Sequence, residues 1–339
     1  MNQITFPRIS YDGSIYDQTD LENWYLSKIQ DEIKKNLNEI DTTSKNDEEK
    51  RLLSFIINHI DKLILYSPQK LEKIVKITDA YCKYCKDKDI LLYQDSNGKY
   101  QKTDFNKEIF KAFHYDYYRK NILVELAQKL NVKSCPYCNM NYTLFAEKGN
   151  GNVAKFQYDH FFEKKTYPFL SMSLYNLIPS CGSCNQGKST NTLSLKFNPY
   201  ASNINKLFHF TIKDPLPLFF GKRIKDIITL NLTPNAAIVT QDELNVFDNT
   251  FNIRAIYSRH KDIVQEVFDK AYLETYYGDS SFFNFLDDRF KKEYLYRLIY
   301  GVYMDENEIE KRPMSKFVQD IRKQAIAKIY YDYLNGWCF

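Results

Sequence analysis

The sequence predicts an α+β protein that is mainly α-helical and has a distinct cysteine-bearing segment in its middle. Apolar residues recur at helical spacing on both sides of the centre. Gly and Pro are sparse, at ten each in 339 residues, whereas Tyr and Phe number 28 and 24. Between residues 134 and 200 the helical period is lost, and Cys, Asn, Ser and Pro become frequent. We therefore expect a helical region over 1–133, a compact module over 134–200, and a mixed, mostly helical region over 201–339.

The N-terminal region contains four segments with helical periodicity. Apolar residues such as Leu21 and Tyr25 predict a first helix over 18–36. The stretch RLLSFIINHIDKLILYS predicts a buried helix that ends before Pro68, and a further helix follows over 69–88. The pattern over 105–130 predicts one long helix that leads the chain to Cys135.

Short strands and helices alternate in the rest of the chain. FQYDHF (156–161) and LYNLIP (174–179) alternate in polarity and predict strands, and CGSCNQGKSTNTL predicts a short helix. Strands are also expected at LFHFTI (207–212) and IITLNL (227–232), and helices over 251–272 and 315–334.

Charge and hydropathy narrow the classes to which the protein can belong. The net charge of +4 permits nucleic-acid binding without arguing for it. No run of about 18 apolar residues exists, so we expect no membrane span. The first residues, MNQITFPRISYDGS, lack the apolar stretch of a signal peptide. We expect a protein of the reducing cytoplasm.

Six of the seven cysteines fall in three C-x-x-C pairs, which are Cys82/Cys85, Cys135/Cys138 and Cys181/Cys184. A glutaredoxin-type redox site would need a reactive thiolate at the start of a helix that follows a strand. The segment before Cys135 instead predicts a helix, and a redox site would leave the third pair unexplained. Four free thiols remain the plain alternative.

The second and third pairs together predict a four-cysteine zinc site. Tetrahedral Zn²⁺ accepts four thiolates, and each C-x-x-C turn supplies two of them. The interval 139–180 is longer than in a simple zinc ribbon, so something folded must lie between the pairs. For Cys82 and Cys85 no further ligands are evident nearby, and free thiols are the better interpretation.

The interval between the pairs resembles the HNH family of endonucleases, which have a ββα-metal fold. The pattern is carried by Asp159-His160, by Asn176, and by Asn185 directly after Cys184. In many members of that family, C-x-x-C pairs bracket the motif and bind structural zinc. The resemblance covers about residues 134–198 and implies a central HNH module embedded in the helical flanks.

The residue types suit phosphodiester hydrolysis. A neutral imidazole can deprotonate water near pH 7, and a hard divalent cation with oxygen ligands can stabilise the leaving alkoxide. We expect His160 to be the general base, and Asp159 and Asn185 to hold Mg²⁺ or Mn²⁺. By resemblance Asn176 would orient backbone or the histidine. Lys188 would touch a phosphate or be an ordinary solvated helix lysine.

A packed, hydrogen-bonded Asp-His pair without function is the plain alternative for Asp159 and His160. Lys164 and Lys165 lie near the motif and are expected to be ordinary surface lysines. His260 falls on the apolar face of a predicted helix, so a core histidine is the better interpretation.

The fuller run from CPYCN to KFNPYA is similar to the HNH effectors of Septu-type and retron-associated antiphage systems. That resemblance implies a DNA substrate, a partner ATPase that restrains or triggers the nuclease, and a larger assembly. The chain has no P-loop of its own. A zinc-organised, non-catalytic adaptor that binds nucleic acid or protein is the alternative function.

Overall fold

The computed structural model describes residues 3–85, 89–148, 151–213, 229–277 and 292–334. Helices dominate, and the strands pair in short antiparallel two-stranded sheets. The prediction of a mainly helical α+β protein is confirmed at this level. In the part of the chain that the structure describes, no helix has the length and apolarity needed to cross a bilayer.

The N-terminal region begins with a small hairpin and four helices. Helix α1 starts where the Asp17 carboxylate accepts a hydrogen bond from the Asp20 amide, and Asn46 and Glu49 form a capping box at α2. The single helix predicted up to Pro68 is interrupted at His59, which separates α2 from α3. The elements are β1 (Arg8–Ile9), β2 (Ile15–Tyr16), α1 (Gln18–Asn38), α2 (Asp47–Asn58), α3 (Ile60–Leu65) and α4 (Pro68–Tyr84).

The long helix predicted over 105–130 is wrong, because the chain breaks there twice. His114 adopts the left-handed conformation, with φ of 52°, and its ring nitrogen lies 3.0 Å from the Glu32 carboxylate of α1. A second break falls at Asn121. The three helices that result are α5 (Asp104–Ala112), α6 (Tyr115–Tyr118) and α7 (Ile122–Leu130). They follow a hairpin of β3 (Leu92–Gln94) and β4 (Tyr100–Lys102).

The central region contains two strands followed by a helix. Strand β7 (Gln157–His160) pairs antiparallel with β8 (Leu177–Ser180), with Asp159 opposite Ile178, and helix α8 (Gly182–Lys188) follows at once. The strand predicted over 174–179 is therefore shifted, since Leu174–Asn176 is a 3₁₀ turn. An additional hairpin, β5 (Phe145–Lys148) and β6 (Gly151–Ala154), was not predicted.

The C-terminal region packs one hairpin against several helices. The predicted strands correspond to β9 and β10, although residues 227 and 228 lie outside the described residues. The helix predicted over 251–272 is broken at residues 258–260, whereas the one predicted over 315–334 is found with those bounds. The elements are β9 (Phe208–Lys213), β10 (Thr229–Pro234), α9 (Gln241–Phe251), α10 (Ile253–Tyr257), α11 (Lys261–Tyr277), α12 (Lys292–Tyr300) and α13 (Ser315–Leu334).

One hydrophobic core contains buried side chains from all three predicted regions. The turn after Cys138 is held by the C-terminal region, because Tyr257 donates a 2.7 Å hydrogen bond to the Cys138 carbonyl. The neighbouring Asn139 side chain donates to the Ile309 carbonyl at 3.0 Å and accepts from the Lys316 amide at 3.1 Å. The central region is thus packed into its flanks, and the boundaries at 133/134 and 200/201 stay a prediction.

Candidate metal centre and active site

The four cysteines of the second and third C-x-x-C pairs meet in one buried cluster. Their Sγ atoms all lie within 4.8 Å of one another. Cys135 and Cys138 flank a tight turn in which the Asn139 amide donates to the Cys135 carbonyl at 2.8 Å. Cys181 and Cys184 lie at the start of α8. The cluster therefore joins the chain segment before β5 to the helix after β8.

The cluster could hold a metal ion and is compatible with structural zinc. Zn–S bonds of about 2.3 Å require a tetrahedron edge of about 3.8 Å. The Cys138 and Cys181 Sγ atoms lie 3.9 Å apart, which matches that edge and is far too long for a disulfide. Burial raises the pKa of the Cys135 thiol, a cost that a bound dication would offset. All four thiols are buried, unlike the accessible thiolate that a redox enzyme needs.

Asp159 lies beside this cluster and is held from both sides. Its Oδ2 accepts a 2.7 Å hydrogen bond from the Tyr137 hydroxyl, and Tyr137 belongs to the Cys135–Cys138 turn. Its Oδ1 lies 3.3 Å from Nζ of Lys188 on α8. Burial raises the pKa of Asp159, although Lys188 and Tyr137 both act in the opposite direction. The carboxylate thus links the cysteine turn, β7 and α8.

Lys188 is buried, with 1% of its surface exposed. Its ammonium also donates to the His160 carbonyl at 2.9 Å. The interpretation of Lys188 as a solvated helix lysine is therefore wrong, because packing of α8 against β7 encloses the side chain. Lys188 is an internal cation that hydrogen-bonds to the end of β7.

His160 ends β7 with its imidazole in a fixed tautomer. Nε2 lies 2.9 Å from the Ser171 carbonyl, which can only accept, so Nε2 carries the hydrogen. Nδ1 has no hydrogen-bond partner among the described residues and bears the lone pair of the neutral ring. Burial, reinforced by the nearby Lys164 charge, lowers the pKa of His160 to about 3. The ring is consequently neutral near pH 7, but so low a pKa also makes it a weak proton acceptor.

The Asn176 side chain hydrogen-bonds to backbone groups, and none of its described hydrogen bonds reaches the cysteine cluster. Its amide oxygen accepts from the Phe162 amide at 2.7 Å, and its NH₂ donates to the Phe162 and Leu170 carbonyls at 3.0 Å. The side chain is fully buried. Asn176 thereby joins the segment after His160 to the segment before β8.

Asn185 lies on α8 one residue beyond Cys184, on the side that faces Gln157 of β7. Its NH₂ donates to the Gln157 side chain at 2.5 Å, and its amide oxygen has no hydrogen bond within the described residues. Gln157 and Asp159 share one face of β7, so Asn185 and Lys188, three residues apart, face the same side of that strand.

The oxygen donors of Asp159 and Asn185 have the right chemistry for Mg²⁺, which prefers carboxylate and amide oxygens. The amide oxygen of Asn185 is free to bind. The Asp159 carboxylate, however, already pairs with an ammonium, so a cation there would share Oδ1 with Lys188 or displace it.

The weaker candidates lie elsewhere. His260 is half-buried at the start of α11, so it is not the core histidine expected. Cys82 and Cys85 are half-buried free thiols at the end of α4. Burial raises the pKa of Cys82 to about 11, which makes it unreactive.

Sequence reasoning missed two contributors to the site. The C-x-x-C spacing predicts no role for Tyr137, although an aromatic hydroxyl at that point is a possible hydrogen-bond donor. Tyr115 packs edge-on against the His160 ring, with ring centroids 4.7 Å apart. No local signal connects Tyr115 with residue 160, since α6 is distant in sequence.

Comparisons of the chain with protein-family models, curated proteins and solved structures found no match.

Proposed function

We propose that this chain is a metal-dependent HNH endonuclease that hydrolyses DNA phosphodiester bonds. One observation carries the proposal: an antiparallel strand pair and a helix follow one another, the first strand ends in Asp159-His160, and the helix starts at a four-cysteine cluster. The resemblance to the HNH family implies this order of elements, and each residue of the motif can be assigned a physical task.

Zinc is proposed to bind Cys135, Cys138, Cys181 and Cys184 and to stabilise the scaffold. The strands of this region are four residues long and depend on packing from outside. A metal clamp between the cysteine turn and α8 would fix Asn185, which follows Cys184 directly. The same clamp would fix Tyr137 and, through it, Asp159.

His160 is proposed to accept the proton of the attacking water. The hydrogen bond from Nε2 to Ser171 leaves Nδ1 as the nitrogen that can accept the proton. Asn176 holds the backbone that flanks the histidine, so its role is positioning. Mg²⁺ or Mn²⁺ bound by Asp159 and Asn185 would stabilise charge on the leaving oxygen.

Nicking of a supercoiled plasmid by the purified, zinc-loaded chain tests the proposal. Cutting should require Mg²⁺ or Mn²⁺, stop with a chelator, and be lost in His160→Ala. The products should carry 5′-phosphate and 3′-hydroxyl ends, as the resemblance implies. Metal-independent cutting, or ends of the opposite polarity, would contradict the proposed mechanism.

A zinc-organised adaptor without catalysis is the second candidate. The observation that favours it is the Lys188 ammonium, which already neutralises the carboxylate that would bind magnesium. Tight DNA binding without cutting, both alone and with the product of a neighbouring ATPase gene, would support the adaptor.

The proposed setting is bacterial antiphage defence in the cytoplasm, with a partner ATPase in a larger assembly. Support comes from the resemblance of residues 135–201 to effectors of such systems. Cells that carry the genes for this chain and for its partner ATPase should yield fewer phage plaques, and only when the chain is wild type. Equal protection by the His160→Ala pair would remove the nuclease from that role.

A further inference from the structure

A cleft of about 540 Å³ lies between α6–α7 and the strand β7. Its walls carry three cations and three aromatic rings, and Asn185 borders it from α8. The lining includes Tyr115, Arg119, Lys120, Phe156, Lys164 and Asn185.

Lys164 is the most informative cation of this cleft. It is half-buried, and no carboxylate lies within 4.0 Å of its ammonium among the described residues. Its Nζ instead lies 4.1 Å from the centre of the Tyr115 ring and 5.7 Å from that of Phe110. Burial lowers the pKa of Lys164, as do the nearby charges of Arg119 and Lys102, whereas the Asp116 and Asp159 carboxylates act in the opposite direction. An anion in the cleft would relieve both effects.

The other two cations are exposed and available. Arg119 has only a long contact to Asp116, at 3.9 Å, and Lys120 has no ion pair in the described part of the chain. Asp116 offsets part of this charge, but three cations against one carboxylate leave a net positive wall. Lysine and arginine in such a wall bind phosphate groups.

The cleft is joined to the candidate active site through Tyr115. That ring contacts both the Lys164 ammonium and the His160 imidazole. Asn185, the proposed metal ligand, lines the same cleft. An anionic chain lying along Lys164 would therefore pass close to both groups.

We propose that Lys164, together with Arg119 and Lys120, binds backbone phosphates of a nucleic-acid strand in this cleft and so positions it beside His160. The inference rests on the proposed nuclease function for its purpose, but phosphate binding by the cleft is separable from cutting. It also replaces the expectation that Lys164 is an ordinary surface lysine.

The test measures binding of a fluorescein-labelled duplex oligodeoxynucleotide by anisotropy as a function of salt. The zinc-loaded His160→Ala chain serves as parent, so that cutting does not interfere. Lys164→Gln in this parent should weaken binding about tenfold and lower the slope of log K against log salt by about 1. The Arg119→Gln/Lys120→Gln pair should lower it by about 2.

Two matched variants make the result decisive. Lys164→Arg keeps the charge and should bind like the parent, which separates charge from folding. Lys165→Gln changes the adjacent lysine, whose ammonium donates to the Tyr100 carbonyl outside the cleft, and should also bind like the parent.

Unchanged affinity and salt slope in Lys164→Gln, or an equal loss in Lys165→Gln, would overturn the cleft assignment. If wild-type protein cuts DNA while Lys164→Gln binds normally, only this inference fails. If Lys164→Gln loses binding and the wild type never cuts, this inference stands and the nuclease proposal fails.

Discussion

The Tyr137 hydroxyl donates a 2.7 Å hydrogen bond to Oδ2 of Asp159, and both side chains are buried. Tyr137 lies between two cysteines of the cluster, so this bond connects the candidate zinc site directly to Asp159 of the candidate active site. The Tyr137 ring also stacks on Phe251 of α9, with centroids 4.6 Å apart. A conservative change can therefore remove the hydroxyl and leave the ring packing.

Tyr137→Phe should lower the free energy of unfolding by about 1 to 3 kcal/mol, because a buried carboxylate loses a hydrogen-bond donor. Urea denaturation of the zinc-loaded protein measures this loss. Tyr142→Phe, on an exposed ring, is the control and should stay within about 0.5 kcal/mol of wild type. Equal stability of Tyr137→Phe and wild type would show that the bond contributes nothing.

Lys188→Met should be more damaging, because it leaves the buried Asp159 carboxylate without its cation. Removing one partner of a buried pair costs about 3 to 5 kcal/mol. The double variant Asp159→Asn/Lys188→Met should lose less than the two single losses combined, since the single variants break the same interaction. Additive losses would mean that the 3.3 Å approach carries no coupling.

Cys184→Ser should release the metal and abolish folding of the central region. The wild-type chain should contain one equivalent of zinc, which elemental analysis measures. Thermal denaturation reports whether each protein is folded. Cys82→Ser is the matched control, because that thiol lies at the end of α4, away from the cluster, and its variant should retain zinc. A folded, fully active Cys184→Ser protein would refute the structural role of the metal.

Acid stability should depend on Asp320, which anchors α13 to the β9–β10 hairpin. Burial alone would raise the pKa of this carboxyl, but Lys316 and the donors His209 and Phe210 N lower it below its ordinary value. A lowered folded-state pKa gives stability that is present above about pH 4, the unfolded value, and is lost as the pH falls through the folded value. Asp320→Asn should therefore be less stable at neutral pH and flatten the acid limb of the stability curve. Parallel curves for the two proteins would exclude this role.

The sequence predicted those features whose signal is local. Helix α13 has uninterrupted apolar periodicity, and its predicted bounds agree with the structure. The four cysteines were grouped by their spacing alone, and the structure brings their sulfurs together. Asp159 and His160 were placed in a strand for a similar reason, because the alternation of FQYDHF is visible in the chain.

The remainder depends on contacts that are distant in sequence. The apolar pattern over 105–130 continues through His114, where the chain takes a left-handed turn and the ring contacts Glu32 on the distant α1. The burial of Lys188 follows from its pairing with Asp159, which no helical pattern reveals. The β5–β6 hairpin was missed because the pattern of its two short strands is weak.

Plasmid nicking by wild type and His160→Ala in Mg²⁺ tests the central claim most directly. His260→Ala serves as control, since that half-buried histidine lies outside the site. If His160 is the general base, its loss should slow cutting at least about 100-fold, and His260→Ala should cut like wild type. Equal cutting rates for wild type and His160→Ala, in protein with its zinc retained, would contradict the account.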